Sequence, residues 1–146
     1  MKSKIHIFIT GLPGVGKTTF IINLANELKD LSMAGFYTAE IREGSIRKGF
    51  EVFLNALGLA QSKADVLLID EIGKMECHSS RFRQLISSLL DADKPLIATI
   101  SLRSEGFISE IKRRPDVRVL ELTTAKRESL VTEVADSVRS LMESKI

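Results

Sequence analysis

The stretch Gly11-Leu12-Pro13-Gly14-Val15-Gly16-Lys17-Thr18 matches the pattern G-x-x-x-x-G-K-[ST] at every fixed position. It follows an apolar run that ends at Ile9 and precedes a helix-like pattern, so it predicts a loop between a strand and a helix. The glycines let backbone N–H groups turn inward around an anion, and the following helix points its positive end at the same place. The stretch therefore predicts a phosphate-binding loop for a nucleoside triphosphate.

Two side chains of this loop have predicted roles of their own. Lys17 is expected to bridge the terminal phosphates and to take part in catalysis, and the Thr18 hydroxyl is expected to ligate Mg²⁺. The other nucleotide-binding residues predicted from the same segment are Gly11, Leu12, Pro13, Gly14, Val15, Gly16 and Thr19.

A second segment of interest is acidic and follows an apolar run that ends at Ile69. This run places Asp70 at the carboxyl end of a buried strand, where ligands bind in open α/β sheets, so Asp70 is expected to orient Mg²⁺. Glu71 comes next and is expected to orient the attacking water or accept its proton. A helix cap or a solvated acidic pair remains the alternative for both residues. The run through Gly73 also fits D-x-x-G, but the chain has no N-K-x-D sequence, so a GTPase switch is not favoured.

Composition limits the partners and the compartment. The 146 residues are 44% hydrophobic and 27% charged with a net charge of +2, which favours a globular protein and does not favour nucleic acid as a partner. No apolar run approaches the length of a membrane span, so no membrane partner is expected. Cys77 is the single cysteine, which excludes an intramolecular disulfide and predicts a cytoplasmic location.

Strand-like and helix-like segments alternate along the chain. This order predicts one domain over residues 1–146, with an α/β fold in which helices cover both faces of a mostly parallel sheet. Runs at Phe36–Arg42 and Arg47–Phe53 predict a β-hairpin, and Gly35 is expected to follow the end of the first helix. Thr124 is expected to cap the last helix. The remaining predicted strands are Ile5–Thr10, Val66–Ile69, Leu96–Ile100 and Val117–Leu122.

Several segments together resemble the small thermophile-type nucleoside-triphosphatase family, also called cancer-related nucleoside-triphosphatase. The segments are Gly11–Thr19, Gly35–Thr38, Arg42–Gly44 with Gly49-Phe50, Asp70-Glu71-Ile72-Gly73-Lys74-Met75-Glu76 and Glu110–Val117. The resemblance implies Mg²⁺-dependent hydrolysis of ATP, GTP and other nucleoside triphosphates to diphosphate and phosphate. It also implies a RecA-like P-loop fold, in which another strand separates the phosphate-loop strand from the Asp70 strand. Gly73 and Lys74 join the predicted nucleotide site because they lie within the second signature.

The chain departs from this family in one segment. Relatives carry a longer β-rich stretch before the Asp70 strand, whereas here Phe53 runs almost directly into Leu54–Ala64. If that stretch covers the nucleotide in relatives, base recognition and exclusion of water would differ in this chain.

Two other functions compete with hydrolysis. A small nucleoside or nucleotide kinase would use the same loop to transfer the γ-phosphate, and it would need an acceptor pocket and an arginine-rich lid. A nucleotide-gated adaptor would bind nucleotide without steady turnover. Candidates for an extra cation near the γ-phosphate are Arg42, Lys74 and Arg103, with a solvated surface charge as the alternative for each. Thr99 and Ser101 could polarise water or a phosphate oxygen, or could simply bond to the backbone.

Overall fold

The computed structural model describes residues 5–37, 64–73 and 76–143. The predicted hairpin, apart from its first residues, lies outside these ranges, as do Arg42 and Lys74. The strands are β1 (His6–Thr10), β2 (Met33–Tyr37), β3 (Val66–Ile72), β4 (Leu96–Ile100) and β5 (Val117–Glu121). The α-helices are α1 (Lys17–Glu27), α2 (Ser80–Asp91), α3 (Gly106–Lys112) and α4 (Arg127–Glu143).

The described strands form one sheet in the order β2-β3-β4-β1-β5, and every pairing is parallel. Strand β4 lies between β1, which leads into the glycine-rich loop, and β3, which carries the acidic pair. This confirms the expected RecA-like arrangement. Because the strands are parallel, their carboxyl ends lie along one edge of the sheet, and both predicted motifs are at that edge.

Helices cover both faces of the sheet, which confirms the α/β/α class. Successive β1 side chains alternate between two cores: Ile7 and Ile9 pack with α1 and α4, whereas Phe8 packs with α2 and α3. Such strands are apolar on both faces because both are covered. Among the helices that the structure describes, none has the length and apolar character needed to cross a bilayer.

Helix boundaries were predicted with mixed success. The Ser79 hydroxyl accepts a hydrogen bond from the Phe82 amide at 3.3 Å and caps α2. Gly35 lies inside β2, so its prediction as a helix-end glycine was wrong. The prediction for Thr124 was also wrong, because a 3₁₀ turn over Thr124–Lys126 precedes α4 and the helix begins at Arg127.

A buried polar cluster holds the amino-terminal edge of the sheet. His6 is fully buried; its Nε2 atom donates to the Leu90 carbonyl at 2.7 Å and its Nδ1 atom accepts from the Leu96 amide at 3.0 Å. An amide only donates, so Nδ1 carries no proton and the ring is neutral. Arg114 binds both carboxylate oxygens of the buried Asp116 beside this ring, at 2.9 and 3.0 Å. The cluster ties β1, β4 and α2 together.

Candidate active site

The loop after β1 takes a shape that depends on its glycines. Gly14 and Gly16 have φ angles of 81° and 102°, in the left-handed region that other residues rarely adopt. At Gly11, a Cβ atom would lie 2.9 Å from both the Leu122 carbonyl oxygen and the Val15 side chain. The first glycine is therefore needed for close packing, and the other two are needed for the backbone conformation.

Lys17 links this loop to the acidic segment of β3. Its Nζ atom donates to the Gly11 carbonyl oxygen at 3.2 Å and to Oε2 of Glu71 at 3.1 Å. The lysine side chain is 13% exposed, so the ammonium group is held in a partly dry site where an electrostatic contact is stronger than in water. Lys17, the first residue of α1, is thus held by a carboxylate of β3. In the sheet, β4 separates β3 from β1, the strand that precedes α1.

A second link runs through hydroxyl groups. Thr18 Oγ1 donates to Oδ2 of Asp70 at 2.7 Å, and Thr99 Oγ1 donates to Oδ1 of the same carboxylate at 2.6 Å. Thr99 is fully buried in β4, whereas Thr18 is exposed at the start of α1. Two hydroxyl groups from different elements therefore fix the orientation of Asp70. The Thr99 hydroxyl acts on a carboxylate rather than on water, which differs from its predicted role.

A register shift explains why consecutive acidic residues reach the same place. Successive side chains of a regular strand point to opposite faces of the sheet. The pairing of β3 with β4 is irregular between Ile69 and Ile72, the interval that contains Asp70 and Glu71. Irregularities of this kind re-aim side chains, and here both carboxylates contact the first turn of α1.

The residues of both motifs line a cleft of about 290 Å³ at the carboxyl edge of the sheet. Its lining consists of Gly14, Gly16, Lys17, Thr18, Thr19, Asp70 and Glu71. Other predicted site residues do not line it: Leu12 and Pro13 are exposed, Val15 packs on the α1–α4 core, and Gly73 is buried with its carbonyl accepting from the Cys77 amide. The position of Lys74 lies outside the described residues.

The oxygen donors of this cleft fit Mg²⁺. This ion prefers oxygen ligands, keeps several waters, and is bound in nucleotide sites by one or two carboxylates together with substrate phosphates. The hydroxyl of Thr18 and the carboxylate of Asp70 adjoin at the cleft, and within the described ranges no cluster of three metal-ligating side chains forms a complete protein cage. The donor set suits an ion that is shared with a phosphate chain.

Two arginines near the carboxyl edge occupy different surroundings. Arg103 lines a separate cleft of about 1010 Å³ between α2 and α3, and not the cleft that contains Lys17. Arg127 was missed by the sequence analysis, yet it lies beside the glycine-rich loop: a Cβ atom on Gly16 would be 3.8 Å from its Nε. Arg127 could have been predicted from its position shortly after the carboxyl end of β5, because ligands bind at that edge of the sheet.

Comparison with known proteins identifies relatives of this chain. A family model described as NTPase matches residues 6–54 and 51–135, two stretches that meet where the sequence departs from the family pattern. The chain is 36% identical to nucleoside-triphosphatase THEP1 of Thermotoga maritima, over 88% of this chain and 92% of that protein. It is 30% identical to the protein of the same name from Methanocaldococcus jannaschii, over 91% of this chain and 96% of that protein.

Solved structures give the same result. THEP1 from Aquifex aeolicus superposes with a TM-score of 0.71 at 28% identity, over 88% of this chain and 96% of that one. A human cancer-related nucleoside triphosphatase superposes with a TM-score of 0.72 at 26% identity, over 92% of this chain and 97% of that one. From the family match, the identities and the shared fold, it follows that this chain belongs to the NTPase family of nucleoside-triphosphatases.

Proposed function

We propose that this protein is a Mg²⁺-dependent nucleoside-triphosphatase that hydrolyses ATP, GTP and other nucleoside triphosphates to diphosphate and phosphate. One observation carries the proposal: Asp70 and Glu71 both contact the first turn of α1, directly after the glycine-rich loop. A phosphate loop alone serves binding, transfer and hydrolysis equally well. A carboxylate at the terminal phosphate adds the acceptor for a water proton that hydrolysis needs.

The loop and Lys17 would hold the phosphates. The positive φ angles of Gly14 and Gly16 support a loop whose backbone N–H groups would bind an anion at the positive end of α1. The Lys17 ammonium group would leave Glu71 in part when phosphate oxygens approach, because these carry more negative charge than one carboxylate. Glu71 would then be available to a water molecule instead of being neutralised by the lysine.

Glu71 would act as the general base. A water oxygen attacks the γ-phosphorus, its proton passes to a carboxylate oxygen of Glu71, and the bond from the γ-phosphorus to the β–γ bridging oxygen breaks. The diphosphate leaves with the bonding electron pair on that oxygen, and Lys17 would stabilise this negative charge. Correct protonation and alignment of the base typically account for a rate factor of about 10²–10⁴.

Thr18 and Asp70 would hold the metal. Mg²⁺ held by these two residues would supply positive charge that offsets the negative charge of the phosphates. The contribution of this chain is orientation: Thr99 donates to one oxygen of Asp70, and Thr18 donates to the other in the free protein. Fixed ligands of this kind lower the reorganisation needed when metal and nucleotide bind together.

A phosphate-release assay without any acceptor tests the proposal. Purified protein is incubated with ATP, GTP, CTP and UTP, with and without Mg²⁺, and Lys17→Ala serves as the inactive control. We expect release that requires Mg²⁺ and that Lys17→Ala abolishes. Release that is absent from the wild-type protein for all four nucleotides would contradict the proposal.

One feature favours the kinase as a second candidate. The cleft of about 1010 Å³ between α2 and α3 contains Arg83 and Arg103, and its lining follows the carboxyl ends of β3 and β4. An acceptor with an anionic group would suit two guanidinium groups at that edge. Adding a nucleoside or a nucleoside monophosphate to that assay separates the candidates: nucleoside diphosphate that forms from ATP only with the acceptor, and without free phosphate, identifies a kinase.

A further inference from the structure

A second cleft adjoins the phosphate cleft on the side away from the acidic pair. It measures about 460 Å³ and is lined by Gly14, Gly16, Thr19, Phe20, Asn23, Leu122, Arg127 and Glu128. Gly14, Gly16 and Thr19 line both clefts, so the two adjoin at the glycine-rich loop. Its volume lies within the range of sites that bind small molecules.

This adjacency supports one direction for a bound nucleotide. Lys17, Asp70 and Glu71 line only the first cleft, where the terminal phosphate belongs if the proposed function holds. A triphosphate whose far end lies there extends past Gly16 and Thr19 into the second cleft. The group that arrives in the second cleft is the nucleoside.

The walls of the second cleft suit a flat, partly polar group. Phe20 and Leu122 are apolar lining residues that are only 3% and 2% exposed, while the lining residues Asn23 and Glu128 are exposed. Arg127 lies across Gly16, where a Cβ atom would be 3.8 Å from Nε and 3.9 Å from Cζ of its guanidinium group. Within the described residues, its guanidinium group has no hydrogen-bond or ion-pair partner. Because Gly16 has no side chain, the Arg127 guanidinium group can lie close to the backbone of the loop.

We propose that Arg127 binds the nucleoside by stacking its guanidinium plane on the base, and that this contact makes the protein prefer purine over pyrimidine nucleotides. The inference rests on the proposed function for the direction of the nucleotide. A guanidinium plane stacks on aromatic rings through dispersion and cation–π attraction, and a purine offers more ring surface than a pyrimidine. Stacking does not read the base edges, so adenine and guanine are accepted alike.

Binding of diphosphates tests the inference, because it requires no hydrolysis. Affinities of ADP, GDP, CDP and pyrophosphate are measured by calorimetry with Mg²⁺ for the wild-type protein and for Arg127→Ala. We expect wild-type affinity for the purine diphosphates to exceed that for CDP by about three- to tenfold, from a stacking contact of ordinary strength. In Arg127→Ala, purine affinity falls by a similar factor, the preference disappears and pyrophosphate affinity is unchanged.

Two further variants separate stacking from charge. Arg127→Lys keeps the positive charge but loses the plane, so it should resemble Arg127→Ala for ADP. Lys126→Ala removes an exposed cation one residue away that does not line the cleft, and it should bind every probe as the wild-type protein does. Equal thermal unfolding of the variants shows that the loss is local.

Three outcomes would overturn the inference: unchanged ADP affinity in Arg127→Ala, an equal loss for ADP and pyrophosphate, or full recovery in Arg127→Lys. Failure of the proposed function gives a different pattern. A protein that binds ADP in an Arg127-dependent manner but releases no phosphate from ATP would keep this nucleoside site and lose the hydrolase assignment.

Discussion

The ammonium nitrogen of Lys17 lies 3.1 Å from the Oε2 atom of Glu71, although 53 residues separate them in the chain. The pair joins α1 to the far end of β3 across the strand β4 that lies between β1 and β3. It brings the group expected to hold phosphate next to the group expected to receive a proton. Two predictions follow from the separate chemistry of its members.

Glu71→Gln should slow turnover strongly while leaving binding intact. The amide keeps the shape of the carboxylate and a hydrogen-bond acceptor for Lys17, but it cannot take a proton from water. We expect the hydrolysis rate to fall by about 10²–10⁴-fold, with nucleotide affinity unchanged within a few-fold. Single-turnover phosphate release and calorimetric binding measure the two quantities.

The matched control for that variant is Glu121→Gln, which neutralises an exposed carboxylate at the end of β5. It should hydrolyse ATP at the wild-type rate. Undiminished turnover by Glu71→Gln would remove this residue from the mechanism.

Lys17→Ala should weaken binding itself. A charge-assisted contact to phosphate contributes about 1.5–3 kcal/mol, so nucleotide affinity should fall by roughly 10- to 100-fold. The same loss should appear with pyrophosphate, since the lysine would contact phosphate and not the base. Lys29→Ala, which removes an exposed lysine beyond the end of α1, is the control and should bind normally.

Thr99→Val should change the dependence on Mg²⁺. The variant keeps the shape of a buried side chain but removes the hydroxyl that donates to Asp70 at 2.6 Å, so the carboxylate is held by one group fewer. Loss of an outer partner of this kind typically weakens metal binding by about 10- to 100-fold. We expect the Mg²⁺ concentration at half-maximal activity to rise accordingly, with the maximal rate at saturating Mg²⁺ changed much less.

Thr99→Ser restores the hydroxyl and should restore the Mg²⁺ dependence. A purely packing role for Thr99 would instead make the serine variant resemble neither the wild-type protein nor the valine variant, because it lacks the methyl group. An Mg²⁺ titration curve of Thr99→Val that overlays the wild-type curve would contradict the positioning role.

The sequence was sufficient for the central part of the fold because local and tertiary signals agree there. The apolar runs of β1, β3 and β4 are buried on both faces, and the acidic pair ends a strand where parallel topology places ligands. The prediction for Gly35 was wrong because glycine after a helical pattern indicates a helix end, whereas here it lies in a strand between the helix and the acidic segment. The prediction for Thr124 was wrong because hydroxyl residues are common both in 3₁₀ turns and at helix starts.

The site was harder to predict wherever two distant residues meet. The bond from Thr99 to Asp70 depends on the neighbouring registers of β4 and β3, and the approach of Arg127 to Gly16 depends on the turn before α4. Neither relationship leaves a spacing pattern in the chain. The rule that ligands bind at the carboxyl ends of parallel strands predicts the edge of the sheet where these residues lie. It does not predict which side chain each of them contacts.

His6 should make the free energy of unfolding fall as the pH drops below neutrality. Burial lowers the pKa of this imidazole, opposed in part by its hydrogen bond to Leu90 and by the charge of Asp116, so the unfolded chain binds a proton more readily than the folded one. Stability is therefore full above the unfolded pKa of about 6.5 and is lost below it, by at most about 1.4 kcal/mol per pH unit for one proton. The Arg114 guanidinium also lowers the pKa of Asp116, but that carboxylate adds its own loss only below its ordinary pKa, so between pH 5 and pH 7 the histidine is the member of this buried cluster that changes stability. Urea unfolding of the wild-type protein and of His6→Gln across this range measures how the free energy of unfolding changes with pH.

The His6→Gln variant should be less stable at pH 7.5, and its free energy of unfolding should change little from pH 7 to pH 5. A control at the exposed His78, His78→Gln, should keep the wild-type dependence on pH. Equal slopes in the wild-type protein and His6→Gln would show that the buried ring is not the group that titrates.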